Sequence, residues 1–331
     1  MFPSLDIVIV NWNTGIQLQN CLDSIAEADQ AAFELKRVVV VDNASTDGSC
    51  DHSARTALPL TIIKNARNLG FAAACNRGAN CSSADFILFL NPDTRLYRES
   101  LTGPLAAMLQ PIHRKTGIMG IQLMDDAGRV SRSCARFPTP SLFFNKMTGL
   151  DRLFPSGFVS LAMTDWNHLQ TRIVDQVIGA YFLVRNLLYQ ELNGFDERFF
   201  VYYEELDFSF RAFQKGWRTC YLSEFQAYHK GGGATDAVKD IRLYYTLRSQ
   251  ILYGFKHYKR ITAVLLMLGV LFIGPWTRLG NAVLKKSFEH FQNTLKAYAM
   301  LWHDLPNWFG LCLNVSDTPS SPETKNGGGI S

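Results

Sequence analysis

Four short apolar runs recur through the first ninety residues, each closed by a polar group: Leu5–Val10, Arg37–Asp42, Leu60–Lys64 and Asp85–Asn91. They are β-branched or aromatic and show no polar alternation, the pattern of strands buried on both faces of a parallel sheet. Helix-like stretches at 15–28, 46–56 and 70–82 separate them. This rhythm predicts an α/β fold, a mostly parallel Rossmann-like sheet with helices on both faces. Ligands of such sheets bind beyond the carboxyl ends of the strands. The polar strand ends are therefore the first candidate site.

Composition narrows the class. With 47% hydrophobic residues in 331, the chain can build a real core, which excludes wholesale disorder. A net charge of +4 is too small for a dedicated nucleic-acid binder. The seven cysteines are scattered, with no Cys-x-x-Cys pair, so neither a zinc ribbon nor a secreted disulfide framework is expected. The N-terminus has no basic segment before its first strand, so no signal peptide is expected and the compartment reads as cytoplasmic. The charge is uneven. Residues 230–331 hold 12 Lys+Arg against 6 Asp+Glu, whereas residues 1–229 hold 21 against 23. We therefore divide the chain into an α/β domain over 1–235, a basic, apolar helical region over 236–313, and a Ser/Pro/Gly-rich disordered tail over 314–331.

Further along, 117–124 and 129–136 flank Asp125-Asp126-Ala127-Gly128 as a hairpin. Val174–Arg185 reads as one strand. Tyr202–Lys215 reads as a helix ended by Gly216, and 236–260 as a basic, aromatic helix.

The strand ends carry Asn11-Trp12-Asn13, Asp42-Asn43-Ala44-Ser45-Thr46-Asp47-Gly48, Asn65 to Phe71, and Asn91-Pro92-Asp93-Thr94. Taken singly, each has a plain structural reading: Asp47-Gly48 as a turn, Ser45 or Thr46 as a helix cap, Asn91-Pro92-Asp93 as a turn. The architecture gathers all four on one edge. Neither Gly-x-Gly-x-x-Gly nor a Walker lysine loop is present, so a nucleotide would be bound in another way. Asn91 and Asp93, two residues apart at the end of a buried strand, suit a hard cation, Mg²⁺ or Mn²⁺, that also bridges a diphosphate. Such an ion stabilises the charge growing on a leaving diphosphate.

The runs VDNASTDGS (41–49), NLGFAAACNRG (68–78) and LNPDT (90–94) resemble family 2 glycosyltransferases of the GT-A fold. GAYFLVRN (179–186), NGFDERFFVYYEELDFSFR (193–211), KGW (215–217) and HKGGGAT (229–235) continue the likeness over about residues 4 to 260. The nearest subgroup is the rhamnosyltransferase-like enzymes of bacterial surface polysaccharide synthesis. The resemblance implies a nucleotide-sugar donor (dTDP-rhamnose or a UDP-sugar), inverting transfer, and an Asp-x-Asp-like metal motif. Asn91 and Asp93 match that motif, with Asn replacing the first Asp. Asp42 matches the position that contacts the base. Asn11, Asn68, Gly70 and Asn76 match positions lining the donor pocket, and His229 matches a histidine that approaches the metal or the diphosphate. The plain reading of His229 is a surface residue beside the Gly231-Gly232-Gly233 turn.

Attack by an acceptor hydroxyl requires one carboxylate to take its proton. The family places this base in a Glu-Asp pair at a helix start, where this chain reads Glu204-Glu205. By position Glu205 is the expected base and Glu204 the second choice. Residues 204, 207, 208 and 211 share one helical face, so Asp207 is expected to pair with Arg211 at i, i+4. The plain reading is that both glutamates favour the positive end of the helix. The flanking Phe199, Phe200, Tyr202, Tyr203 and Phe208 are expected to form a pocket wall.

Residues 261–277 are uncharged, bounded by Lys259, Arg260 and Arg278, and contain Trp276. Seventeen residues is at the lower edge for a membrane span. The basic, aromatic flanks suit a device lying on the cytoplasmic face of the inner membrane, and a buried core helix is the alternative. Peripheral attachment suits a polyprenyl-diphosphate-linked acceptor, which the resemblance suggests. Two rival functions remain at this level: a sugar-phosphate nucleotidyltransferase, and a non-catalytic glycan-binding protein on a degenerate transferase fold.

Overall fold

The computed structural model describes residues 2–50, 57–150, 154, 157, 160–231 and 238–313. The four expected strands are present. β1 (Ser4–Asn11), β2 (Glu34–Asp42), β3 (Leu60–Lys64) and β4 (Phe86–Leu90) run parallel in the order β3-β2-β1-β4. β10 (Tyr181–Arg185) joins β4 antiparallel. β6 (Thr116–Met124) and β11 (Arg218–His229) follow, and β5 (Thr94–Leu96) closes the far edge. β8 (Arg172–Val174) pairs with β11, completing a nine-stranded, mixed sheet. β7 (Cys134–Ala135) and β9 (Gln176–Val177) form a separate ribbon.

Strand alternation sends side chains to two cores. Leu5, Ile7 and Ile9 of β1 pack with Leu18, Leu22 and Ile25 of α1 (Ile16–Glu27), spaced at helical intervals. Val8 and Val10 face the other way, toward α2 (Phe71–Ala79) and the helix carrying Phe208 and Ala212. Burying each aliphatic side chain contributes roughly 1.5–3 kcal/mol, so strands without polar alternation are stable only when covered on both sides. The small residues of α2 let it approach closely, and a Cβ at Gly78 would lie 2.5 Å from Val8 Cγ1.

Three sequence expectations are corrected. Residues 46–50 are turn rather than helix: Asp47 Oδ1 accepts from the Ser49 N–H at 3.0 Å, and Gly48 takes φ +71°. Residues 51–56 lie outside the described residues. The hairpin after β6 ends at one bridge, Met124 to Val130, because β7 pairs with β9 instead. The expected strand 174–185 is broken at 178–180. The tail 314–331 lies outside the described residues.

The remaining helices are α3 (Thr102–Leu109), α4 (Pro140–Thr148), α5 (Asn186–Glu191), α6 (Glu204–Gln214), α7 (Lys239–His257), α8 (Arg260–Leu284), α9 (Phe288–His303) and α10 (Leu305–Leu313). α8 is continuous through a π-turn at Gly269–Ile273. A third core joins α7, α8 and α9 to Phe143, Phe199, Tyr203 and Leu206 of the preceding chain. The boundary expected at 235/236 lies outside the described residues, but the segments on either side share this core.

α8 is apolar on two faces. Only 39% of its most apolar stretch is buried. Ala263, Leu266, Val270 and Leu271 pack inward, while Ile261, Leu265, Leu268, Phe272, Trp276 and Leu284 are exposed, Ile261 at 78% and Trp276 at 74%. Phe288, Leu295 and Trp302 form an exposed stripe on α9 at seven-residue spacing. The rings of Phe272 and Trp302 touch, with centroids 5.2 Å apart, so the two stripes adjoin.

Candidate active site

A cavity of about 810 Å³ opens at the carboxyl ends of the parallel strands. The turn after β4 brings Asn91 and Asp93 to its wall, and the end of β11 brings His229. β11 pairs with β5 so that His229 lies opposite Thr94, and Lys230 N–H donates to the Asp93 carbonyl at 3.2 Å. His229 Nε2 consequently lies 3.3 Å from Asp93 Oδ1, both side chains being largely buried. Gly232 and Gly233 lie outside the described residues.

Glu204 and Glu205 line the same cavity from the start of α6. Tyr202 and Tyr203 precede them at φ +66° and +74°, a conformation costly for bulky side chains and held here by packing. One oxygen of each glutamate has no partner. Burial, reinforced by the charge of Glu205, pushes the Glu204 carboxyl well above the usual range. Burial raises Glu205 as well, but its own N–H, that of Gly179, and a hydrogen bond from Glu204 favour its charged form. Burial thus raises both carboxyls, and the hydrogen bonds that favour the charged form fall on Glu205. Asp207, one turn on, is fully buried and turned away. It accepts from Arg211 Nε at 2.7 Å, the expected i, i+4 pair, and also from Lys256 and His257 of α7 at 2.7 Å.

The break at 178–180 joins the two halves of the site. The Ala180 carbonyl accepts from Asn91 N–H at 3.1 Å and from Thr94 Oγ1 at 3.2 Å, fixing the turn that bears Asp93. Gly179 meets Glu205 in the same segment. A continuous strand would use these groups in the ladder, and sequence periodicity carried no signal of the break beyond the glycine.

Asn68 and Gly70 line the cavity, as expected of donor-pocket positions. Gly70 has φ +86°, and a Cβ there would collide with the carbonyl and ring of Phe200. Its carbonyl accepts from Asn43 Nδ2 at 3.0 Å, while Asn43 Oδ1 accepts from Asn65 at 2.8 Å. The pair 68–70 is therefore clamped between the β2 end and the loop before α6.

Three expected donor-pocket residues do not reach the cavity. Asn11 is fully buried, and its Nδ2 donates to Asp42 Oδ1 at 3.0 Å and to Ser49 Oγ at 2.8 Å. Asp42 Oδ1 accepts that bond and the Ser45 N–H at 3.3 Å. Asn76 holds the loop before α6, donating to the Phe195 carbonyl at 2.9 Å and accepting from the Phe195 N–H at 2.9 Å. These amide and carboxylate groups stitch loops together, as buried polar groups must when no water reaches them. Of the aromatic wall, Phe200 and Tyr202 line the cavity, whereas Phe199, Tyr203 and Phe208 are core.

Sequence reasoning missed the wall supplied by α7. Ile241, Arg242 and Tyr245 face the cavity, and Tyr245 stacks on Phe200 with centroids 4.5 Å apart. Their i, i+1, i+4 spacing was the available signal, but it had been absorbed into the membrane reading of the C-terminal region. Trp12 and Asn43 were also missed as lining residues, although both stand beside strand-end residues that were singled out.

Asp93 and His229 offer one carboxylate and one imidazole to a divalent cation, and the open cavity leaves room for diphosphate oxygens and water. That donor set fits a Mg²⁺ or Mn²⁺ ion shared with a substrate. No cluster of three His, Cys, Asp or Glu is present among the described residues.

Residues 6–143 match the sequence profile of "Glycosyl transferase family 2". The N-acetylglucosaminyl-diphospho-decaprenol L-rhamnosyltransferase of Mycobacterium tuberculosis is 26% identical over 250 residues, 71% of this chain and 78% of that protein. The low-salt glycan biosynthesis hexosyltransferase Agl10 of Haloferax volcanii is 26% identical over 222 residues, 64% of this chain and 62% of that protein. The mannosyltransferase PcManGT from Pyrobaculum calidifontis, solved with GDP-Man and Mn²⁺, superposes with a TM-score of 0.54 at 16% identity, covering 93% of this chain and 88% of that one. The last likeness establishes the fold, that of the GT-A glycosyltransferases.

Proposed function

We propose that this chain, a glycosyltransferase with a family 2 domain over residues 6–143 and related to rhamnosyltransferases, moves a sugar from a nucleotide diphosphate to a lipid-linked glycan with inversion. The observation that carries the reading is one cavity lined by both the Glu204–Glu205 pair and the Asp93–His229 pair. Glu205, which holds the hydrogen bonds that favour a carboxylate, takes the proton of the acceptor hydroxyl. One carboxylate suffices, because the leaving group is a diphosphate that needs charge stabilisation rather than a proton. Asp93 and His229, with Asn91 beside them, hold a Mg²⁺ or Mn²⁺ ion, which when bound supplies positive charge to that diphosphate. Asn68 and Gly70 contact the donor. Asn11, Asp42 and Asn76 shape the pocket through the loops they fasten.

The donor is dTDP-rhamnose or a UDP-sugar, and the acceptor a polyprenyl-diphosphate-linked sugar of surface polysaccharide synthesis. Two curated relatives, named for a decaprenol-linked acceptor, support this class. The exposed apolar stripes of α8 and α9 lie on the cytoplasmic face of the inner membrane, where such an acceptor resides. Lys259, Arg260, Arg278, Lys285, Lys286 and Lys296, against Glu289 alone, complement its anionic headgroups.

The test is a thermal-shift screen of nucleotide sugars with Mn²⁺, followed by transfer of the stabilising sugar to a synthetic lipid-linked acceptor. Stabilisation by one donor, with product formation that EDTA stops and Mn²⁺ restores, is the expected result. Full turnover in metal-free buffer would remove the role given to Asp93 and His229, and no donor-dependent product would remove the reading itself.

A further inference from the structure

A second cavity, of about 280 Å³, lies between α4, α7, α8 and α9, away from the catalytic one. Its floor is apolar, with Leu247 and Val270. Trp276 and Leu284, two of the most exposed apolar side chains of α8, stand at its rim. Lys146, Arg278 and His290 line it together, and among the described residues no aspartate or glutamate does.

Arg278 is the informative member. It is half-buried and lines the cavity, and its charge is felt by two buried phenols. Burial raises Tyr298, and Arg278 acts against that rise; burial likewise raises Tyr203, again opposed by Arg278. Among the described residues no carboxylate pairs with Arg278. Withdrawing a guanidinium from water without a counter-charge is unfavourable, and a planar donor fork of this kind is suited to phosphate oxygens. Gly274 lacks the Cβ that would strike the Tyr298 hydroxyl, and Thr277 Oγ1 donates to the Met147 carbonyl at 2.8 Å, tying α8 to α4 across the cavity.

We propose that this second cavity binds the phosphate of an anionic lipid headgroup, with Arg278 as principal partner and Lys146 and His290 beside it. The proposal rests on the reading that α8 and α9 lie on a bilayer. The rim places apolar side chains where acyl chains would begin, and the cations sit one layer inward, at the level of a headgroup. A phosphate seated there supplies the counter-charge that Arg278 lacks among the described residues.

Cosedimentation of the full chain with vesicles of phosphatidylcholine, with or without phosphatidylglycerol, tests this. One diffuse surface cation contributes about 1 kcal/mol to such binding, or roughly fivefold. Arg278→Gln is expected to reduce the preference for phosphatidylglycerol by more than tenfold, and Arg278→Lys to restore part of it. Lys285→Gln, which alters an exposed cation outside the cavity, is expected to stay within the fivefold of a diffuse charge. Lys146→Gln serves as the second variant should Arg278→Gln fold poorly, with a loss beyond fivefold expected. Equal losses in the cavity and surface variants would overturn the site while leaving the membrane reading intact. Failure of the wild type to bind either vesicle would overturn both. An Arg278-dependent rise in Tm with inorganic phosphate, alongside an unchanged lipid preference in Arg278→Gln, would overturn the lipid as source.

Discussion

Glu205 and Glu204 are adjacent in the chain and differ in what surrounds them. Glu204 is nearly buried and its carboxyl is raised, whereas Glu205, raised as well, keeps hydrogen bonds that favour charge. Glu205→Gln is therefore expected to lower kcat by at least about a hundredfold, while donor-induced thermal stabilisation persists. Turnover near the wild-type rate would remove Glu205 as base. The rate should rise with pH through an acid limb lying above the ordinary glutamate range. Glu204→Leu, which removes the donor to Glu205, should move that limb higher. Stability has its own sign. A carboxyl raised on folding contributes most below its unfolded pKa, and the contribution is lost as pH rises toward the folded value. Glu204→Gln should accordingly melt above the wild type near about pH 8 and with it near about pH 4, a difference that calorimetry resolves. These two glutamates could be singled out in the sequence because they stand where family 2 glycosyltransferases, which the chain resembles, carry a Glu-Asp pair at a helix start. The division of labour between them could not, since it depends on Gly179 and on burial by segments far away in the chain.

Among the elements, α6 and α7 are joined by one buried carboxylate. Burial alone would raise Asp207, but the hydrogen bond from His257 and the charges of Arg211 and Lys256 outweigh it and hold the carboxyl below its ordinary range. That contribution is present above the unfolded pKa and lost as pH falls through the lower folded value. Asp207→Asn takes the counter-charge from Arg211, whereas Lys256 keeps Asp196 at 2.5 Å, a loss of at most about 3–5 kcal/mol. We expect a matching fall in the denaturant midpoint and weaker donor binding, because the wall formed by Arg242 and Tyr245 belongs to the same helix. A midpoint within experimental scatter of wild type would show the cluster to be dispensable. The i, i+4 half of this cluster was legible at residues 207 and 211. The half from α7 was not, because fifty residues separate Asp207 from His257 and no local period links them. The strands were the most legible elements, since burial on both faces leaves an unbroken apolar run; Leu60–Lys64 begins and ends where the sequence places it. The break at 178–180 was hidden for the same reason, as its residues are apolar too. Asn11, Asp42 and Asn76 have side chains equally suited to a ligand and to a neighbouring loop, and the loop contacts they make are visible only in the fold.

For the whole molecule, the charge asymmetry of the sequence has a spatial counterpart. The basic third is not a separate appendage: α7 walls the candidate active-site cavity, and α8 and α9 share a core with Phe143, Phe199 and Tyr203. Deleting residues 261–303 would therefore expose that core as well as remove the apolar stripes. Point changes on the exposed stripe are the cleaner probe. Phe272→Glu with Trp276→Glu should abolish sedimentation with anionic vesicles and raise solubility, with the melting temperature preserved. Unchanged vesicle binding would exclude this face as the contact.

The stripes also have a geometric consequence. A single anchoring point leaves a body free to tilt in every direction. The exposed row on α8, from Ile261 to Leu284, is about 34 Å long, and resting on a row leaves only roll about it and spin. The second row on α9, joined to the first where Phe272 meets Trp302, removes the roll. Two adjoining rows define a plane, so a protein seated on both keeps only its spin about the normal, and the mouth of the catalytic cavity stays at one height and one inclination above the surface.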